Sequence, residues 1–145
     1  MTPPHIVLRL VVAACLGAAI GLEREMHKKP AGLRTNILIA VGSALFTIMS
    51  IQLRTDGGSP DRVAAQIVTG IGFLGAGSII RSGRHVIGMT TAATIWVNAA
   101  VGMAVGAGEL FMAAAATVVT LIVLALLAPL EAFFERRNPG SGSTS

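Results

Sequence analysis

Glu23-Arg24-Glu25-Met26-His27-Lys28-Lys29-Pro30-Ala31-Gly32-Leu33-Arg34-Thr35-Asn36 is a charged island between two apolar runs. It holds two of the seven acidic residues and four of the eleven basic ones, in a chain where 12% of residues are charged. A soluble domain carries roughly a quarter. Outward from the island, the apolar stretches fall at Ile6–Leu22, Ile37–Leu53, Val63–Ile80, Ala92–Ala107 and Leu110–Leu130. Each comes near the roughly 20 residues that cross about 30 Å of hydrocarbon. Hydrophobic residues make up 53% of the 145 and the mean hydropathy is +0.75, more apolar content than a soluble core of this length could bury. Strand-like alternation is missing and aromatics are 4%. The expected fold is all-α: a polytopic membrane protein of about five transmembrane helices. One transmembrane domain spans 1–137, and the Asn-Pro-Gly-Ser tail at 138–145 reads as disordered.

The net charge of +4 and the pI near 10.7 do not make a nucleic-acid footprint. No basic helix face or aromatic–basic interleaving is present. The cations instead sort by side. The loop after the first span, the loop after the third and the C-terminus hold Arg24, Lys28, Lys29, Arg34, Arg81, Arg84, Arg136 and Arg137. The other side holds Arg9, Arg54 and Arg62. The positive-inside rule then predicts an external N-terminus and a cytoplasmic C-terminus, with the island inside. Met1-Thr2-Pro3-Pro4-His5 lacks the basic start of a cleaved signal peptide. Cys15, the single cysteine, reads as a small packing residue. No Cys/His metal spacing occurs.

The helices have readable faces. Gly17 and Gly21, and again Gly102 and Gly106, sit four apart, the spacing that lets backbones approach closely in lipid. Asn36, Ala40, Ser43, Thr47 and Ser50 form a small, partly hydroxylated stripe on the second span. Thr94, Asn98, Gly102 and Gly106 do so on the fourth. Such stripes serve as tight packing faces or as a polar pathway, and packing is the commoner use. Gly70, Gly72, Gly75 and Gly77 match the letters of a dinucleotide fingerprint, but no strand precedes them and no acid follows about 20 residues on. They read as packing glycines, with Gln66 and Thr69 beside them as candidates to line a small cavity. Leu121–Leu127 has no polar stripe, which puts the fifth helix at the periphery. Leu16-Gly17-Ala18-Ala19 is similar to Leu74-Gly75-Ala76-Gly77, and each run leads through an arginine to a turn, Gly32-Leu33-Arg34-Thr35 or Gly88-Met89-Thr90-Thr91. Spans 1–2 and 3–4 would be parallel copies of one hairpin, unless the similarity reflects only Gly/Ala-rich composition.

Four motifs in order resemble the MgtC/SapB family: Gly21-Leu22-Glu23-Arg24-Glu25; Lys29-Pro30-Ala31-Gly32-Leu33-Arg34-Thr35; the run Arg62 to Gly77; and Gly88-Met89-Thr90-Thr91-Ala92-Ala93-Thr94-Ile95-Trp96. The resemblance covers roughly residues 5 to 130. It implies a small bacterial inner-membrane protein from a family whose members are associated with magnesium-limited growth and with virulence. Both ion transport and regulation of a membrane ATPase have been put forward for the family. Longer members add a soluble C-terminal domain, so this chain resembles the short form.

On the residues alone, Glu23 and Arg24 stand where the first span meets the interface, and a charge held there needs a partner. Glu23 is expected to meet Arg34, Thr35 or the Thr90-Thr91 turn on another helix, or else to belong to a solvated cluster that only fixes topology. Glu23 and Glu25 could give magnesium one or two carboxylates, but Lys28, Lys29 and Arg34 oppose a cation. No resident metal or cofactor is expected, with Mg²⁺ the one candidate. No catalytic constellation appears, and an enzyme is not expected. Two functions remain: a regulator docking another membrane protein, such as a membrane ATPase, or a small cation channel lined by Gln66, Thr69, Asn98 and Ser43. No acidic residue lies within a span, which favours the regulator. Small-residue faces on several helices suit a homo-oligomer in the lipid bilayer.

Overall fold

The computed structural model describes residues 3–53, 61–82 and 85–137; side chains are described for 3–53, 63–81 and 86–127. The expectations for the 138–145 tail and for Arg54, Asp56 and Arg84 lie outside the described residues. Five helices follow in order: α1 (Pro3–Met26), α2 (Leu33–Gln52), α3 (Asp61–Gly77), α4 (Met89–Ala107) and α5 (Leu110–Arg137). Four of them, α1, α2, α4 and α5, are long and apolar enough to cross a membrane. The chain is thus an all-α, multi-pass membrane protein.

The charged island is mostly helix. Glu23 to Met26 close α1 and Leu33 to Asn36 open α2, leaving only 27–32 as turn. Glu, Arg and Met are good helix formers, so charge marks the end of the apolar run rather than of the helix. What stops α1 is the backbone after it: Lys28 and Ala31 adopt left-handed φ values of 53° and 54° around Pro30. A second departure from the sequence reading lies between α3 and α4. The third apolar stretch was expected to run on to Ile80, but α3 ends at Gly77 and an antiparallel ribbon follows, β1 (Ile80–Ser82) with β2 (His85–Ile87). Its register pairs Ile80 with Ile87 and Arg81 with Val86. β-Branched residues flanking Gly83 favour such a ribbon locally. It is short enough to escape a search for sustained alternation.

α2 is the hub, packed on α1 on one side and α4 on the other. Glycine makes both contacts close. A Cβ on Gly17 would stand 2.7 Å from the Asn36 carbonyl oxygen, and one on Gly21 would stand 2.7 Å from the Leu33 Cα. On the other side Gly102 lies against the Ala40 backbone and the Ser43 Cβ, and Gly106 against the Ala44 carbonyl oxygen. The small-residue stripe of α2 is what these glycines meet: Asn36, Ala40, Ser43 and Ser50 are buried. α5 packs on α1 and α4. Only 11% of its spanning window is buried, against 50% for α4, so it faces lipid along most of its surface.

The two hairpins match in structure as well as in letters. Gly32 and Gly88 are the N-cap residues of α2 and α4. Gly17 of α1 backs onto Asn36, the fourth residue of α2; Gly75 of α3 backs onto Ala92, the fourth residue of α4. The second contact is looser, at 3.6 Å for the nearest atom of a built Cβ. Both turns lie at one end of the bundle, joined by a hydrogen bond between Arg24 and Thr91, as parallel copies require. At the opposite end the Arg9 guanidinium donates to the Gly106 carbonyl oxygen at 2.6 Å. There it neutralises the negative terminus of α4. Gly108 closes that helix with φ 96°, its N–H bonded to the Ala104 and Val105 carbonyls, as a left-handed C-terminal glycine does.

Candidate functional site

The polar residues of α1, α2 and α4 converge at the end of the bundle that carries both turns. Asn36 sits in the first turn of α2, where its side-chain amide donates back to the Ala31 and Gly32 carbonyls. That bond holds Ala31 in its left-handed conformation. The Glu25 carboxylate reaches across the turn and accepts from the Leu33 N–H at 3.1 Å, supplying the cap that Gly32 cannot. One turn deeper, Asn98 of α4 donates to both Asn36 O (2.7 Å) and Asn36 Oδ1 (3.0 Å). Both asparagines are fully buried. Thr94, also buried, turns its hydroxyl to the Thr90 carbonyl at 2.7 Å.

Arg24 is 4% exposed, and its Nη2 donates to Thr91 Oγ1 at 2.9 Å. Its neighbour Glu23 does not cross to another helix as expected. It pairs with His27 one turn on, Oε1 to Nδ1 at 3.1 Å. The reason is helical spacing: residues four apart share a face, whereas Glu23 and Arg24 point apart. For the same reason neither Glu23 nor Glu25 pairs with Arg24. Among the described residues no carboxylate oxygen lies within ion-pair distance of the Arg24 guanidinium. Three atoms here are buried without a hydrogen-bond partner: Glu23 Oε2, Arg24 Nε and Asn98 Oδ1.

Of the candidates read from the sequence, the structure gathers Glu23, Arg24, Glu25, Thr91 and Asn98 at this end of the seam. Arg34, Thr35 and Thr90 lie exposed around it. Gln66 and Thr69 lie outside this seam: Gln66 lines a cavity of about 730 Å³ between α2 and α3 with Gly70, Ser43 and Thr35, whereas Thr69 is exposed and its hydroxyl bonds its own helix at Ala65 O. Gly17, Gly21, Gly102 and Gly106 make the close backbone contacts described above. Gly70, Gly72 and Gly77 meet nothing within 4 Å, so no packing partner for them lies among the described residues. Asn36 was legible only as one member of a stripe. That it and Asn98 are the two asparagines within apolar spans could have paired them. His27 could have been placed by its i, i+4 distance from Glu23.

Glu23 and Glu25 are the carboxylates available to a cation here. One is engaged by His27 and the other by the α2 N-terminus, and no group of three His, Cys, Asp or Glu forms a metal cage among the described residues. The arrangement can lock two hairpins together through one buried cation, which has the charge of the neighbouring Glu23 beside it but no direct ion pair among the described residues.

Comparison with known proteins gives a consistent answer. The profile of the MgtC family matches residues 10–133. "Putative magnesium transporter YhiD" of Escherichia coli K12 is 48% identical over 125 residues, covering 81% of this chain and 58% of that protein. "Protein MgtC" of Brucella abortus is 52% identical over 131 residues, covering 90% and 55%. "Protein MgtC" of Salmonella typhimurium is 50% identical over 121 residues, covering 83% and 52%. The chain thus spans little more than half the length of these curated relatives. No solved structure matches it.

Proposed function

The chain belongs to the MgtC family, and from that premise we propose that it is a regulator linked to magnesium homeostasis or membrane energetics. In this reading it acts by docking a second membrane protein and carries no ions itself. The magnesium link is supported by the name of the Escherichia coli relative. The observation that favours docking over transport is the closed seam of α1, α2 and α4. Its glycine contacts leave no room between backbones, and the Asn98 amide nitrogen is bonded to Asn36, with Asn98 Oδ1 left unpartnered. A cation path needs oxygen ligands in sequence along its length. Of the residues that would supply them, Ser43 and Gln66 share one mostly apolar cavity between α2 and α3, while Thr69 is exposed on α3 and the Asn98 amide is bonded to Asn36 in the seam.

The second reading is a small Mg²⁺ transporter working between the hairpin repeats. Reconstitution separates the two. Protein in liposomes is expected to give no Mg²⁺ uptake above empty vesicles under any imposed gradient. Uptake above that background, lost in Glu23→Ala, would sink the regulatory reading.

We further propose that the protein sits in the bacterial inner membrane with its N-terminus outside and its C-terminus in the cytoplasm. The eight-to-three distribution of Lys and Arg supports this. A reporter inserted near Gly57 should then be reachable by an impermeant reagent added to intact cells that have lost the outer membrane. Protection of that reporter until the cells are lysed would reverse the orientation.

A further inference from the structure

The hairpin repeat relates α1 to α3 and α2 to α4, so the pair α1 and α4 has its counterpart in the pair α3 and α2. The first pair is covered. α5 packs against both of its members, and one apolar cluster joins Val12 and Leu16 of α1 to Ala113 and Ala116 of α5. The second pair is bare. A cleft of about 730 Å³ stands open between α2 and α3. Counted from Gly17 and its equivalent Gly75, Val12 and Leu16 map onto Gly70 and Leu74, and both of these line the cleft. Among the described residues no helix covers them, and both are exposed.

The floor of the cleft lies open at backbone level. Gly42 of α2 and Gly70 of α3 both line it, and a Cβ built on either meets nothing within 4 Å. A glycine inside a helix costs about 1 kcal/mol against alanine, which is offset where another helix comes close in lipid. Gly17, Gly21, Gly102 and Gly106 are used in that way inside this bundle. From Thr35 to Phe46 the lining runs about 17 Å along α2. Thr35 and Gln66 stand in the first two turns of their antiparallel helices, toward opposite ends, and the middle is apolar apart from the buried Ser43.

The same chain carries a helix that fits. α5 buries Ala113 and Thr117. Its opposite face leaves Phe111, Ala115, Val118, Ile122 and Leu126 exposed, an apolar row about 22 Å long. The bilayer supplies direction and depth. Every copy inserts the same way, so a second copy presents its α5 in the direction and at the level that α5 has beside α1 and α4. Because the two hairpins are parallel copies, α3 and α2 receive a helix of that same direction.

We infer that the α2–α3 cleft is the seat of α5 from a second copy of this chain. One α5 then bridges two subunits, with its inner face on its own α1 and α4 and its outer face on the neighbour's α2 and α3. The contact joins unlike surfaces, so the copies associate head to tail, as a ring or a row rather than a symmetric pair. This goes beyond the regulatory reading and does not depend on it.

Cysteine pairing in native membranes tests it. Cys15 is the single cysteine, so Cys15→Ala gives a thiol-free parent. Gly70→Cys and Val118→Cys are placed in that parent, singly and together, and oxidised with copper phenanthroline. Chains carrying both are expected to form a ladder at multiples of 14.8 kDa. Two single-cysteine chains expressed together are expected to form a band at the mass of a pair. Gly42→Leu puts its side chain into the open floor of the cleft and should remove these bands while the detergent unfolding midpoint stays at the parent's. Should that midpoint fall, Ile122→Trp on the exposed face of α5 makes the same test from the other side. Absence of any band between chains would overturn the assignment, as would bands that survive both changes. A pair formed by Gly70→Cys alone as strongly as by the mixed chains would instead set two α3 helices face to face. Capture of Gly70→Cys by a protein of another mass would give the cleft to a foreign helix. Either result also overturns the assignment.

Discussion

Gly102→Leu is expected to cost the fold about 3 kcal/mol or more, the upper end of what overpacking does. The same change at Gly72 should cost almost nothing. The two glycines have the same letters around them in the sense that matters to a motif search, since each stands in a small-residue run within an apolar helix. Their surroundings differ completely. A side chain on Gly102 begins inside the Ala40 backbone and 2.9 Å from the Ser43 Cβ. Backbone cannot swing aside as a side chain can, so α2 and α4 must separate. Because α2 is also the surface on which α1 packs, the displacement breaks the Asn36–Asn98 bonds and pulls Thr91 from Arg24. Gly72 meets nothing within 4 Å, and replacing a helical glycine there regains up to about 1 kcal/mol of helix propensity. Unfolding by a denaturing detergent, followed by fluorescence of Trp96, the single tryptophan, measures both. A Gly102→Leu midpoint equal to that of the parent would mean that α2 and α4 do not carry the stability of the bundle.

This contrast also shows how far the sequence could be read. The all-α membrane architecture follows from length and hydropathy, because a bilayer admits few other solutions. The lipid-facing fifth helix and the buried stripe of α2 follow from the pattern on single helices. What periodicity does not carry is the identity of the helix across the interface. Gly17, Gly21, Gly102 and Gly106 all face α2, while Gly70, Gly72 and Gly77, denser in sequence, face outward. The island illustrates the same limit at finer scale. Its charges located the turn correctly, but which one enters the protein depends on a rotation of 100° between neighbours. That rotation buries Arg24 and leaves Glu23 to His27. The ribbon at 80–87 was missed because three-residue strands fall below any periodic signal.

Arg24→Met is expected to leave the bundle as stable as the parent or more so, yet to abolish its function. Methionine fills a similar volume with an unbranched, adaptable chain. Replacing a buried ionic group by a well-fitting apolar one is commonly neutral or stabilising, by about 1–4 kcal/mol where measured. Here the balance tilts further toward gain. The guanidinium is 4% exposed, forms one hydrogen bond across helices, leaves Nε unpartnered and lies at the positive end of α4. Against these costs it contributes the attraction of the neighbouring Glu23 charge and the Thr91 bond, and interhelical hydrogen bonds within membranes are worth about 0.6 kcal/mol on average. A residue retained at net cost to the fold has its use elsewhere, in holding an anion or a partner's carboxylate. Two measurements decide the matter together: the detergent unfolding midpoint, and rescue of growth at low magnesium in a bacterium that lacks its own family member. Stability kept and rescue lost is the expected pair. A collapse of stability would instead make Arg24 the clamp between the hairpins, with no task beyond the fold.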